Sequence, residues 1–591
     1  VPRCYKRNLC GSGGLRAEAL AANMPACGRR AVQEKEPICM LYRAALIVSA
    51  VYLCLAPPSA LAAPAFTLGS GNEAVIEPPV AHPAETPCTV KLYHGAQFGA
   101  NNVYFLYNPP ANCPGPYATI VLSVDISLNA GIQYDRTGTI WVGGVPLWFG
   151  TTAEPNPNLG PSWHFERDVT DYTALLGGSN TGFVSIANYT NSTDTSIITS
   201  SAELLFYPAS TAYPAPTVPD EIIPLAADGG GTIGLGDSTQ TAVIDQLLPN
   251  SITKAVLDVY LQGQSNDEFW YTCVPNSLTT ALESCGGGAL REGEIRVDNA
   301  PAGVAPVYPW IFTGGIDPYL WAPIPGVQTL DFKPFPVDIS PFAGQLSDAT
   351  KAHRISLSVY GANSYFSVAG ALKLYLDPAR AQVTGSVTQN TLKGYPTADV
   401  KSTITSSSTL THGKLNTGTH RNFTISGSIV GSTGPVQYTV SQVGSFANDQ
   451  DFYISDTVYK QFIKQKTDTT ISTTVAASSG TNTEVTTLSY PLTVDITEDT
   501  LKTGLSQLTT ISQLYNASDV SVVGGVQTTS SEQDSITTTD KLYLNGSFNI
   551  VGNKGMASSA QYTTNSSTAP CFSRTLTAAN NFLKSYNTGC K

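Results

Sequence analysis

Along the middle of the chain, hydrophobic and polar positions alternate with period two. Ile120, Leu122, Val124, Ile126 and Leu128 form one such run; Leu257, Val259 and Leu261 form another, and Ile355, Leu357, Val359 and Leu372, Leu374, Leu376 form two more. Each run has one apolar and one mostly polar face, the pattern of strands packed on one side of a sandwich. A weak internal repeat overlies this pattern. Arg136-Thr-Gly138-Thr-Ile140-Trp-Val142 has the spacing of Arg291-Glu-Gly293-Glu-Ile295-Arg-Val297, and each is followed by a related phrase, Asp168-Val-Thr-Asp-Tyr172 and Asp338-Ile-Ser-Pro-Phe342. The same two phrases in the same order predict a duplicated β-sandwich, with copies over 86–212 and 220–382. The proline-rich stretch 208–219 between them reads as a stiff connector. Beyond 383 the aromatic content thins and Ser/Thr-rich strands are predicted over Val436–Val443, Glu484–Ile496 and Lys541–Val551. This third β-rich domain, 383–591, is expected to close with a short amphipathic helix around Leu576–Leu583.

Composition narrows the class. Only 13% of the 591 residues are charged, against about 25% in an average soluble protein. With 32 basic residues against 44 acidic ones, the chain is a poor candidate for binding phosphate backbones, and no nucleic-acid partner is expected. From Met40 the sequence reads MLYRAALIVSAVYLCLAPPSALAAP: one arginine, a short apolar stretch and Ala60-Leu61-Ala62. That is the pattern of a secretory leader over 40–62, too short to span a bilayer comfortably. Residues 1–39 then read as an over-extended start and 63–85 as a linker. Removing residues 1–62 takes away eight basic and three acidic residues and leaves the exported form near −17. The expected location is extracellular or periplasmic, with no membrane association after leader cleavage and a monomeric state.

Six of the eleven cysteines remain after that cleavage, in three sequence-local couples. In an oxidising compartment they predict the disulfides Cys88–Cys113, Cys273–Cys285 and Cys571–Cys590, one of fifteen formal connectivities. A zinc site is the competing reading, but CxxC, HxxxH and HExxH spacings are all missing, and no metal is expected.

No GxSxG elbow, Walker loop or GxGxxG opening a helix occurs, which argues against common serine hydrolases and nucleotide enzymes. Carboxylates beside aromatics remain: Gln133-Tyr134-Asp135-Arg136 before the first repeat strand, and Asn266-Asp267-Glu268-Phe269-Trp270-Tyr271 after a strand of the second copy. Ring faces stack on sugar C–H patches while carboxylates take hydroxyls or activate water. The bland alternatives are a turn cap or salt bridge for Asp135 and a polar loop over core aromatics for 266–271.

The phrases NDEFWYTCVPNS (266–277), VYPWIFTGGIDPYLWAPIPG (307–326) and DRTGTIWVGGVPLWFGTTAEP (135–155) resemble the acidic peptide-N-glycosidase A family and its bacterial relatives. The resemblance is close over 86–382 and loose in the C-terminal third. It implies two tandem antiparallel jelly rolls, as in peptide-N-glycosidase F, with the active site along their interface, so the expected fold class is all-β. It also implies a catalytic aspartate at Asp135, a partner glutamate at Glu268 and a glycan-pocket tryptophan at Trp321. Arg136, Asp267, Trp270 and Trp141 are expected around them as substrate-binding residues. Two departures stand out: a further glutamate of peptide-N-glycosidase F falls near Asn188, and the arginine before its pocket tryptophan has no counterpart around Asp317–Leu320.

The activity so implied is hydrolysis of the side-chain amide between Asn and the first N-acetylglucosamine of N-glycosylated peptides and glycoproteins, without a cofactor. A glycoside hydrolase using the same carboxylates, or a lectin using the same aromatics, are the alternatives. Two carboxylates acting together, with no histidine in either phrase, lead to an expected rate optimum well below pH 7. Glu292, expected in a strand-leading turn, is expected to be replaceable with little effect.

Overall fold

The computed structural model describes residues 66–154 and 156–590. The expected leader, the residues before it and Cys4, Cys10, Cys27, Cys39 and Cys54 lie outside the described residues. Regular structure is almost entirely antiparallel strand. The first sandwich contains β1 (Cys88–Gln97), β2 (Val103–Tyr107), β3 (Tyr117–Leu128), β4 (Thr137–Val142), β5 (Val145–Thr151), β6 (Ser162–Asp168), β7 (Asn180–Ile186) and β8 (Ile198–Pro208). One sheet has the order β1-β8-β3-β6 and the other β2-β7-β4-β5.

The second copy contains β9 (Glu221–Leu225), β10 (Ile233–Leu235), β11 (Ala242–Gln246), β12 (Ile252–Gln264), β13 (Glu292–Val297), β14 (Ala300–Pro306), β15 (Phe335–Asp338), β16 (His353–Tyr360) and β17 (Tyr365–Leu376). Here β10-β17-β12-β15, with β9 also on β17, faces β11-β16-β13-β14. The two plans match, apart from one extra strand in the second copy where β9 and β10 both pair with β17, and both copies are antiparallel two-sheet sandwiches, as the all-β expectation requires. All four alternating runs fall in strands: β3, β12, β16 and β17.

The sequence repeat is a repeat of structure. Its first phrase is β4 in one copy and β13 in the other, each paired with the next strand as a hairpin. The glycine of the phrase lies where chains approach closely: a Cβ on Gly138 would sit 2.2 Å from the Trp148 ring, and one on Gly293 would sit 2.8 Å from Leu261. The second phrase ends a strand in a short turn. Asp168 Oδ1 accepts the Thr170 amide and Asp338 Oδ1 accepts the Ser340 amide. The hydroxyls of Thr170 and Ser340 in turn accept the amides of Ile120 and Ala255.

Beyond the second copy, one sheet of twelve strands contains β18 (Thr384–Asn390), β19 (Asp399–Ser402), β20 (Thr405–Ser406), β21 (Leu410–Gly431), β22 (Gly434–Ser455), β23 (Val458–Ala477), β24 (Gly480–Leu501), β25 (Gly504–Val523), β26 (Val526–Asn545), β27 (Ile550–Ser566), β28 (Phe572–Ala579) and β29 (Phe582–Thr588). From β21 to β29 it is a meander. The Lys541–Val551 segment, expected as one strand, is the end of β26, a turn and the start of β27. The helix expected at Leu576–Leu583 is also absent: this segment is the β28–β29 hairpin. Leu576 and Ala578 are buried on alternate positions, and Asn580 and Asn581 make the turn at φ +52° and +61°, a left-handed pair that suits Asn. Leu and Ala favour a helix locally, but the period-two burial and the turn decide the outcome.

The first sandwich has its own core around Leu122, Trp148 and Phe165. The core of the second runs on into the long sheet, joining Leu257, Tyr308 and Trp310 to Ile463, Tyr490 and Ile511. Glu292 belongs to this junction. It is a buried strand residue paired with Arg421 of β21, so it is not the neutral control position expected from the sequence. Residues 66–82, expected as linker, are tied down throughout: Gly69 and Ser70 pair with Leu583, Val80 N donates to Glu166, and Arg574 donates to the carbonyls of Val75, Ile76 and Glu77. The three expected disulfides are formed. No helix among the described residues is long and apolar enough to cross a membrane.

Candidate active site

The open end of the β4–β5 hairpin brings two acids together. Pairing runs to Thr137–Thr151, and one step further Arg136 exchanges contacts with Thr152, its amide donating to Thr152 Oγ1 and its carbonyl accepting from Thr152 N. Asp135 and Glu154 lie just beyond. Both face Gly314 of the second sandwich: a Cβ built there would lie 2.1 Å from Glu154 Oε2 and 2.8 Å from Asp135 Oδ1. Only a glycine lets the loop come this close. Thr313 fixes the approach by donating its hydroxyl to Thr152 O at 2.7 Å.

The third acid, Glu268, comes from the turn after β12. Its neighbour Asp267 pins that turn. Fully buried, Asp267 takes two bonds from Arg291 and three from the amides of Asn363, Ser364 and Tyr365. Two non-glycine residues flank the acids in left-handed conformation, Ser265 (φ +54°) and Ile316 (φ +66°). For a β-branched residue such as Ile316 this is costly, and the surrounding contacts must hold it.

Burial and mutual repulsion sort the three carboxyls. Asp135 is raised to about 6 by burial, against the pull of the Gly314 amide and the Arg136 guanidinium. Glu154 is pushed well above its usual range by burial and then by the charge of Asp135. Burial, again aided by Asp135, lifts Glu268 to about 8. Asp135 therefore ionises before Glu268, which still holds its proton near neutrality, and burial with the charge of Asp135 opposes ionisation of Glu154.

The expected shell residues divide into two groups. Arg136 stands at the site: it donates to Gln133 Oε1, its charge acts on both Asp135 and Glu154, and it lies 5.7 Å from the Tyr134 ring and 6.0 Å from that of Tyr189. Asp267 and Trp141, expected to bind substrate, are instead buried. Asp267 has spent its oxygens on the turn, and Trp141 stacks on Phe183 inside the protein. Trp270 and Trp321 are equally buried, at 2% and 1% exposure. Trp321 Nε1 donates to Gly315 O at 2.8 Å, so this side chain shapes the glycine loop from behind. A strand-end tryptophan in a two-layer protein serves the core first, because it has the most apolar area to bury.

Two residues at the site escape the sequence reading. Glu154 lies inside a quoted phrase, yet only counting outward from the Gly143-Gly144 turn sets it beside Asp135. Tyr189, 55% exposed, joins Tyr134, 41% exposed, to form an open aromatic pair on either side of Arg136. The residue before Tyr189, Asn188, is fully buried and accepts from Gln133, so it links the Tyr189 loop to the Asp135 phrase and supplies no carboxyl.

Comparison with known proteins follows the same residues. The family model for peptide N-acetyl-beta-D-glucosaminyl asparaginase amidase A matches residues 77–393. Peptide-N4-(N-acetyl-beta-glucosaminyl)asparagine amidase A of Prunus dulcis is 31% identical over 335 residues, 53% of this chain and 58% of that protein, so the chain spans little more than half of that relative. Among solved structures, PNGF-II (TM-score 0.33, 11% identity, 49% of this chain and 66% of that one) and PNGase F from Flavobacterium meningosepticum (TM-score 0.32, 11% identity, 49% and 96%) are similar. With the family model covering more than half of its length, the chain belongs to the peptide N-acetyl-beta-D-glucosaminyl asparaginase amidase A family.

Proposed function

We propose that this protein is a peptide-N-glycosidase, an amidase that cleaves the bond between a glycosylated Asn side chain and the first N-acetylglucosamine. The observation that carries the reading is the set of three carboxyls, Asp135 and Glu154 on one hairpin and Glu268 opposite, with staggered proton affinities. An amide needs a base for the attacking water and an acid for its oxygen or its leaving nitrogen. Asp135, ionised above about pH 6, takes the water proton as the oxygen attacks the side-chain carbonyl carbon. Glu268, still protonated below about pH 8, hydrogen-bonds the amide and gives its one proton to the nitrogen as that leaves, and the proton that Asp135 took from water then restores Glu268. Glu154, whose ionisation is opposed by burial and by the charge of Asp135, flanks that carboxylate. The C–N bond breaks to leave Asp in the peptide and a glycosylamine, which later loses ammonia to water. Tyr134 and Tyr189 offer ring faces to the sugar, with the Arg136 guanidinium between them.

The substrates in this reading are N-glycosylated peptides and glycoproteins, and the three disulfides support a secreted location. Mass analysis of a glycopeptide after incubation tests the activity. Asn converted to Asp supports the amidase; Asn keeping one sugar would identify a glycoside hydrolase; an unchanged but retained glycopeptide would identify a binding protein.

A further inference from the structure

The long C-terminal sheet turns an unusual face to the catalytic loops. In place of a continuous apolar surface it presents buried amides and hydroxyls that grip loop carbonyls. Asn448, Gln461 and Gln450 donate to the carbonyls of Tyr271, Thr272 and Cys273, just after Glu268. Gln507 donates to Ile316 O, Thr538 to Leu320 O, and Asn581 to the carbonyls of Tyr319 and Ala322. Buried carbonyls of irregular loops have no ladder partners, so side chains must meet them. This grip holds the loop just past Gly314, the residue against which Asp135 and Glu154 lie.

One contact in this set is different in kind. Asp317, fully buried, uses Oδ1 to accept the Tyr319 amide. Asp540 of β26, 1% exposed, uses Oδ1 to accept from Asn553. Each leaves Oδ2 buried without a donor among the described residues. Thr538, two residues before Asp540 and on the same face of β26, donates to Leu320 O, so the strand sets Asp540 against the loop that carries Asp317, and the two carboxyl groups act on each other. Two acceptors in contact are joined only if a proton lies between them. The groups that face the pair are Tyr319 and, through its charge, Glu154 on the Asp317 side, and Asn553 with the Lys541 amide on the Asp540 side; among the described residues no cation acts on either carboxyl.

We propose that Asp540 is a positioning residue for the active site: the C-terminal sheet locks the Gly314–Trp321 loop through one proton shared between Asp540 and Asp317, and so aims the Gly314 amide at Asp135. The consequence for catalysis rests on the amidase reading, whereas the shared proton does not. The folded pair holds a proton that the unfolded chain has released above the ordinary carboxylate range. Stability contributed by the pair is therefore present at low pH and falls as pH rises.

Asp540→Asn and Asp540→Ala in the full chain test this. Asn supplies an N–H to an ionised Asp317, so the lock is kept without a proton. The melting temperature of the Asn variant should then lose the part of its decline with rising pH that the wild type shows above the ordinary carboxylate range. The Ala variant breaks the lock: kcat should fall about tenfold, the acid limb of the rate profile should move to higher pH as Asp135 loses the Gly314 amide, and KM should change little. The Asn variant should recover both kcat and the limb. A pH–stability slope in Asp540→Asn equal to that of the wild type would overturn the shared proton. An Ala variant with unchanged kcat and limb would overturn the positioning role. If the glycopeptide assay gives no turnover in the wild type, the amidase reading fails while the stability arm still decides the proton.

Discussion

The two sandwiches carry the same hairpin and put it to different ends. In the first, Arg136 stands at the hairpin's open mouth, with Nε unpartnered and Asp135 beside it. In the second, the equivalent Arg291 has no exposure and places its guanidinium on Asp267 and on the carbonyls of Gly288 and Leu290. The residue matching Asp135 is Leu290, buried in the core. One copy keeps a charged, partly unsatisfied mouth; the other is closed. The closed mouth still serves the open one, because the Arg291–Asp267 pair fixes the turn that delivers Glu268 across the interface. Duplication here separates the chemistry from its support.

The largest effects should come from the open mouth. Asp135→Asn keeps the volume and removes the proposed base, so turnover should fall on the order of 10³-fold with the melting temperature nearly unchanged. Glu268→Gln should cost about 10²-fold or more, and Glu154→Gln somewhat less, since Glu154 acts on Asp135 through its charge and not on the substrate. Initial rates on a synthetic glycopeptide check all three. Near wild-type turnover in Asp135→Asn would remove Asp135 from the mechanism.

The arginines should then separate stability from activity. Arg291→Met leaves Asp267 as a buried charge without its cation and should lower unfolding free energy by about 3–5 kcal/mol, read by denaturant titration. Arg136→Met should change stability by less than about 1 kcal/mol, because the side chain is only half-buried and its Nε already lacks a partner. Equal losses in both would mean that the two mouths are not divided as described. A smaller contrast lies in the disulfides. Replacing Cys273 and Cys285 by Ala should cost about 2–4 kcal/mol and also reduce turnover, because this link closes the loop behind Glu268; the Cys88–Cys113 replacement should affect stability alone.

Much of this division is legible in the chain. The repeat phrases locate both hairpins because their glycines and their capping aspartates answer local packing needs that recur in each copy. The pairing of local cysteines is legible because short spacings carry it, while the roles proposed for Asp135 and Glu268 come from the phrases that carry the family resemblance. Glu154 is not, because it reaches Asp135 only through hairpin register, and register depends on a bulge between Ile140 and Trp141. The aromatic roles are misjudged for a different reason. Trp141, Trp270 and Trp321 look suited to sugar, yet burial claims them, and the exposed rings are the tyrosines. The C-terminal sheet is hardest to read: its buried face sets Asn448, Gln450, Gln461 and Gln507 among core residues such as Ile463 and Ile511, because part of what it covers is loop carbonyls.

The finest distinction between the mouths is electrostatic. If Asp135 must be ionised and Glu268 protonated, kcat/KM rises with pH through about 6 and falls through about 8. That window is higher than the optimum well below pH 7 that the paired acids and the resemblance lead one to expect, because burial raises every carboxyl at the site. Arg136 lowers Asp135, so Arg136→Met should move the acid limb upward and reduce the rate at pH 6 a few-fold while leaving the basic limb in place. Arg291 does not act on Asp135, and its substitution should scale the whole profile without moving the acid limb. Profiles of the three proteins, with folding verified at each pH, make the comparison. A wild-type maximum well below pH 6 would mean that Asp135 works in its protonated form, and the acid and base roles would then have to be exchanged between the hairpin and the turn.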